Sequence, residues 1–299
     1  IPLFLFPITI YFSARYFLKD KRVALISAML SMLNGRMLIY DSMLGHIDIF
    51  YSWLVFISFM CIFYFYERKQ WFLLFFVSYT ITGITFLAKG LPSVVFQGLT
   101  IIALLAYTKN FRRFSSWQHI ACGVFWLAII GLYFYNYSRF NPNLEGYLAT
   151  IWDQSSRRTA ASVGFWKSIR HILLFPFEYI GHLFPASLLL LFCFNKVFWR
   201  SLWQNSFLKF CALTFLANIW IYWLSPETRP RYLLMLFPLL FIIWSHAYFT
   251  YRHQLPKINR VFETILVVIS LLVALAIPAA WFFDLKNKVA YLDAKIVTV

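Results

Sequence analysis

The stretch TFLAKGLPSVVF, residues 85–96, decides how this chain is read. Lys89 is the sole charge between Trp71 and Thr108. An ammonium group inside hydrocarbon costs several kcal/mol. A lone lysine in so long an apolar run therefore belongs at an interface or serves a purpose. Gly90 and Pro92 follow it at once, and both residue types break helices. The run divides into two apolar helices with Lys89 at the tight turn between them.

Composition extends that reading to the whole chain. Of 299 residues, 62% are hydrophobic, 22% aromatic and only 13% charged. Soluble domains carry about 25% charge, so the class is a polytopic, all-α membrane protein. The net charge of +16 does not indicate nucleic-acid binding. The basic residues fall in short clusters between apolar runs, where charge sets topology. Cys61, Cys122, Cys193 and Cys211 lie inside apolar runs without metal-ligand or disulfide spacing.

A helix needs roughly 20 apolar residues to cross the bilayer core. Ten stretches qualify: 1–17, 23–40, 47–66, 71–88, 92–107, 117–137, 172–194, 207–224, 232–251 and 261–283. They are continuous and lack the period-two alternation of barrel strands. The expected organisation is one transmembrane domain over 1–283 and a tail over 284–299.

Alternate connections then fall on opposite faces. Segments 14–22, 67–70, 108–116, 195–205 and 252–260 are short and rich in lysine and arginine. The positive-inside rule makes that face cytoplasmic. The other face receives 41–46, 89–91, 138–171, 225–231 and the tail. Lys89 thereby lies at the outer end of its helix.

The outer connections collect Arg36, Asp41, His46, Asp48, Lys89, Asp153, Arg157, Arg158, Glu178, His182, Glu227, Arg229 and Arg231. Each has a structural reading. Arg36, Lys89, Arg229 and Arg231 can anchor helices at the interface. Asp41 can cap a helix, and Asp48 can pair with His46. Glu178 and His182 are one helical turn apart and can bond each other. Arg157 and Arg158 can be ordinary loop charge.

The functional reading explains the set together. Arginine forks match phosphate oxygens and lysine supplies a point charge. A carboxylate beside them, Asp41 or Asp48, can take a proton from an acceptor hydroxyl. Outer-face cations with one base point to chemistry on a lipid-linked phosphate. A transporter or flippase of such a lipid is the alternative, although no internal repeat is visible and the charges gather at one face. A non-catalytic envelope subunit is a third reading.

Four segments resemble a known family. NGRMLIYDSML (34–44) resembles the GR-x4-D-x2-L segment of membrane glycosyltransferases that include the lipid A aminoarabinose transferases and protein O-mannosyltransferases. TGITFLAKGLPSVVFQGLTIIALL (82–105) resembles their GLAFLTKG-P segment. FPFEYIGHLFPASLLLL (175–191) is similar to their LLGLLPW helix start, with Ala186 where Trp is usual. ETRPRYLLMLFPLL (227–240) resembles their RYLLPLYPPL segment, with Met235 and Phe237 replacing Pro and Tyr.

The resemblance implies the GT-C fold, a transmembrane helical bundle with its site on the outer, periplasmic face of the plasma membrane. It implies a polyprenyl-phosphate-linked sugar donor, an inverting transfer, and a lipid, glycan or protein acceptor, with lipid A-type modification favoured. Asp41 matches the family's second acid, Arg36 the arginine before it, and Lys89 the lysine of the KG turn. Arg231 matches the RYLL arginine and Arg229 the basic position before it. On that basis Lys89, Arg229 and Arg231 are expected to hold the donor phosphate. Asp41 is expected to assist the acceptor, and Arg36, Asp48, Arg157 and Arg158 are further candidates. The family's main catalytic acid lies in its first outer loop, after its first span, and that region is expected upstream of Ile1. No cofactor is implied, and a divalent ion bridging donor phosphate and acid stays open.

Overall fold

The computed structural model describes residues 1–34, 47–141, 143–146, 149–150, 165–194, 196–226 and 228–282. Every element among them that spans several turns is helical. Arg36, Asp41, His46, Asp153, Arg157, Arg158, Glu227 and the 284–299 tail lie outside the described residues.

Several helices have a local reason to begin or end where they do. Helix α1 (Pro2–Leu18) starts on a proline and stops at Lys19, which is left-handed at φ 57°. Helix α2 (Lys21–Leu33) is capped by Asp20, whose carboxylate accepts from the backbone N–H groups of Arg22 and Val23. Helix α3 (Asp48–Glu67) and helix α4 (Trp71–Lys89) are apolar along their length. Gly90 closes α4 at φ 79°, which a residue with a Cβ rarely adopts, and Pro92 opens helix α5 (Pro92–Tyr107).

Helix α6 (Trp117–Phe140) is capped by Ser116. Helix α7 (Phe165–His182) leads into a 3-10 helix, Ala186–Cys193, at a bend of 114°. A short helix α8 (Lys196–Gln204) precedes helix α9 (Ser206–Trp223), which is capped by Asn205. A 3-10 turn, Pro230–Leu233, then introduces helix α10 (Phe237–Tyr251), and helix α11 (Pro256–Phe282) follows.

The core is aromatic and aliphatic. Helix α10 is buried on nearly every side, against α2, α9 and the 3-10 helix Ala186–Cys193. Helix α3 packs on α1, α4 and α5. Phe17, Phe63 and Phe207 meet with ring centroids 4.6–5.3 Å apart and join α1, α3 and α9. Helices α6 and α11 leave rows of apolar residues exposed, among them Leu127, Leu132, Val267 and Leu271. Such rows suit a lipid-facing position.

The chain is a multi-pass membrane protein. Five helices among the described residues are long and apolar enough to cross a bilayer, or six if the bent pair is one span. This differs from the ten stretches read in the sequence. Each stretch has a helix, but α1, α2 and α5 have 17, 13 and 16 residues and fall short of that length, and 35–40 of the second stretch lie outside the described residues. The ninth stretch spends its start in a 3-10 turn, so α10 keeps 15 residues, a rise of about 22 Å. The seventh is broken by its bend.

Helices α4 and α6 approach closely at Gly83. A Cβ there would collide with the Trp126 ring, whereas one at Gly98 would meet nothing within 4 Å. Small residues let membrane helices pack backbone to backbone. Gly83→Val is expected to cost about 1–3 kcal/mol through overpacking. Thermal unfolding in detergent checks this, with Gly98→Val losing nothing comparable.

The charges separate by end of the bundle. At one end Arg68 donates to the Tyr16 hydroxyl at 3.1 Å, and Arg113 lies 4.6 Å over the Trp71 ring. Lys209 lies 5.0 Å over Tyr107, and Arg22 lies 5.4 Å over Phe249. These are snorkelling cations resting on interfacial rings. The opposite end holds the first residue of α3, the last residue of α4 and the turn before α10.

Candidate functional site at the α3–α4 end

Helix termini place the charged groups. Asp48 is the first residue of α3, where the helix dipole favours an anion. Lys89 is the last residue of α4, where it favours a cation. Arg231 comes from the 3-10 turn Pro230–Leu233, which packs on α3 and α9.

The three side chains form an ionic triad. Lys89 Nζ donates to Asp48 Oδ1, and Arg231 Nε lies 3.4 Å from Oδ2. The carboxylate thus has one cation on each oxygen. Asp48 is 5% exposed. The side chains of Lys89 and Arg231 keep 16% and 17% exposure, so their outer atoms remain reachable.

Aromatic rings enclose the lysine. Its ammonium lies 4.8 Å from the Tyr51 ring centroid and 4.7 Å from that of Tyr232. Both distances suit cation–π attraction. Ser93, in the first turn of α5, donates to the Tyr51 hydroxyl at 3.4 Å. Tyr222 backs Tyr232 at 6.1 Å, and Phe96 backs Tyr222 at 5.6 Å. Five elements thereby fix the position of one cation.

A buried ion cluster is weak evidence for stability, because desolvation offsets the Coulomb gain. Ionisable groups gathered at one end of a membrane bundle point instead to a ligand. What the triad can do chemically is receive an anion. Lys89 and Arg231 bring two cations to one carboxylate, with two tyrosine rings against the lysine.

Of the residues singled out in the sequence, the structure brings Lys89, Arg231 and Asp48 together. Arg229 stays exposed as the cap of the 3-10 turn, its carbonyl accepting from the Tyr232 N–H at 3.0 Å. Glu178 and His182 stand 3.8 Å apart along α7. The pairing of Asp48 with His46 falls on a residue outside the described set, and Asp48 is engaged by Lys89 and Arg231. Among the described residues no three His, Cys, Asp or Glu side chains are grouped to hold a metal ion. Tyr51, Ser93 and Tyr232 were not singled out in the sequence. Tyr51 follows Asp48 by three residues, one helical turn, and that spacing was the available signal.

Beside the triad runs an apolar cavity of about 330 Å³ between α7, α8, α9 and α10. Phe175, Tyr179, Ile219 and Trp223 line it, together with Leu233 and Phe237. Leu233 belongs to the same 3-10 turn as Arg231, so the cavity reaches the turn that carries one cation of the triad.

No protein-family model matches the chain, and no curated protein is similar to it at a significant level. Comparison of folds is informative. The crystal structure of ArnT from Cupriavidus metallidurans bound to undecaprenyl phosphate superposes with a TM-score of 0.62 over 93% of this chain, at 16% identity. The chain shares its fold with ArnT. It spans 50% of the length of that ArnT chain. The architecture is therefore GT-C-like, as the four sequence segments led one to expect. At this identity the likeness to ArnT carries the fold alone.

Proposed function

We propose that the protein is an integral-membrane glycosyltransferase that moves a sugar from a polyprenyl-phosphate donor to a lipid, glycan or protein acceptor. Lipid A-type modification is the favoured case. The observation that carries this reading is the pair Lys89 and Arg231, held together at one end of the bundle beside an apolar cavity. Phosphate would sit on the two cations and the first part of the prenyl tail in the cavity. Arg229 would meet the headgroup at the rim.

The acceptor hydroxyl oxygen attacks the anomeric carbon from the face opposite the phosphate. Its proton passes to a carboxylate, for which Asp41 is the candidate. The carbon–oxygen bond to the phosphate breaks and leaves its electron pair on the phosphate oxygen, so configuration inverts. Charge grows on that oxygen in the transition state. Fixed cations aimed at it lower the barrier more than they stabilise the bound donor.

The ten sequence stretches would complete the membrane domain, with the basic end cytoplasmic and the triad periplasmic at the plasma membrane. Arg36, Arg157 and Arg158 would add charge around the acceptor.

The test uses full-length protein in nanodiscs with candidate polyprenyl-phosphate sugars and lipid, glycan or protein acceptors. A glycosylated product that needs both the protein and the donor is expected. Passage of the lipid across sealed vesicles with no glycosyl product would replace this reading with the flippase.

A further inference from the structure

Asp48 stands where its charge opposes the ligand proposed for the site. Lys89 holds one of its oxygens and Arg231 the other. A site that served only to grip phosphate tightly would keep a neutral residue there. Asp48 is also no solvated surface acid, being 5% exposed at the first position of α3.

The proposed reaction changes the charge of the phosphate it handles. A polyprenyl-phosphate sugar is a phosphodiester with one negative charge. Loss of the sugar leaves a monoester, which approaches two negative charges above a second pKa near 6. The pair Lys89 and Arg231 alone would present two positive charges and favour the product. Asp48 between them lowers by one the positive charge that the ligand meets, which disfavours the dianion more than the monoanion.

We propose that Asp48 is the specificity-determining residue that sets the site's preference for the phosphodiester donor over the phosphomonoester product. It weakens the hold on the spent carrier and so lets it leave. This role rests on the transferase reading above.

The physics separates this role from a merely structural one. Coulomb energy is linear in the ligand's charge. Removing one negative charge at a fixed place therefore changes the logarithm of affinity twice as much for a dianion as for a monoanion. A residue that only orients Lys89 would, when lost, weaken both ligands by similar factors.

The experiment compares dodecyl phosphate with dodecyl methyl phosphate at pH 8, using full-length protein in nanodiscs and calorimetric titration. In Asp48→Asn both ligands should bind more tightly. A gain of about tenfold for the diester should accompany about a hundredfold for the monoester. Equal factors, or a loss for both, would overturn the proposal.

Asp48→Asn leaves two cations beside a neutral amide, and the variant can fail to fold. The same substitution is therefore also made in an Arg231→Gln background, where it takes the triad from zero to one positive charge. The squared relation between the two gains is expected there as well, and its absence overturns the role. The transferase reading fails separately: wild-type protein that holds neither ester removes the phosphate site, and this role falls with it.

Discussion

Lys89→Ala should weaken undecaprenyl phosphate binding by on the order of 30-fold or more, since truncating one partner of a buried charge contact costs about 2–5 kcal/mol. The ammonium is fixed by the end of α4, by Asp48, and by the rings of Tyr51 and Tyr232 at 4.8 and 4.7 Å. That preorganisation makes its loss expensive. The fold should tolerate the change, because Asp48 keeps Arg231 at 3.4 Å. The check is a titration of the lipid phosphate in nanodiscs beside a thermal unfolding curve. Binding that stays at the wild-type value would return Lys89 to the role of an interface anchor. Lys89→Arg should recover only part of the loss, because the planar guanidinium does not fit as a point charge between two tyrosine rings.

Much of the helical order was legible in the sequence, because the signals that fix it are local. A long apolar run specifies a membrane helix, and the Gly90–Pro92 turn specifies where one ends. The clustering of Arg68, Arg113 and Lys209 at one end follows from the charge asymmetry of alternating loops. The bend of 114° after His182 and the shortening of α10 were not legible. Apolar content counts residues without showing whether the backbone spends them in an α-helix, a 3-10 turn or a break.

The site was half legible. Lys89 drew attention as a lone charge, and Arg231 as part of a motif that resembles a family segment. Asp48 was a candidate too, but not as their common partner, because Asp48 and Lys89 are 41 residues apart and only the packing of α3 on α4 joins them. Local reasoning paired Asp48 with its neighbour His46 instead. Sequence proximity is a poor guide where helix ends set the contacts, since α3 begins and α4 ends at the same level of the bundle.

The cavity beside the triad supports the other large expected effect, which separates tail recognition from headgroup recognition. If the cavity of about 330 Å³ takes the prenyl chain, affinity for alkyl phosphates should rise with chain length until it is filled. Each buried methylene contributes about 0.8 kcal/mol. Ala212, half-buried on α9, lines this space. Ala212→Trp would fill part of it and deny contact to about four methylenes, a loss of about 3 kcal/mol or more than a hundredfold for long chains. Short-chain phosphates should bind as before, because the substitution leaves the triad untouched. Thermal stability should not fall, since the indole enters empty apolar space and does not crowd a packed core. A series of alkyl phosphates of increasing length, titrated against wild type and Ala212→Trp, gives two slopes. A steep slope that flattens in the variant places the tail between α7, α9 and α10. Two equal slopes would move the tail elsewhere while leaving Lys89 and Arg231 as the phosphate's partners, so the two halves of the donor site stand or fall on separate measurements.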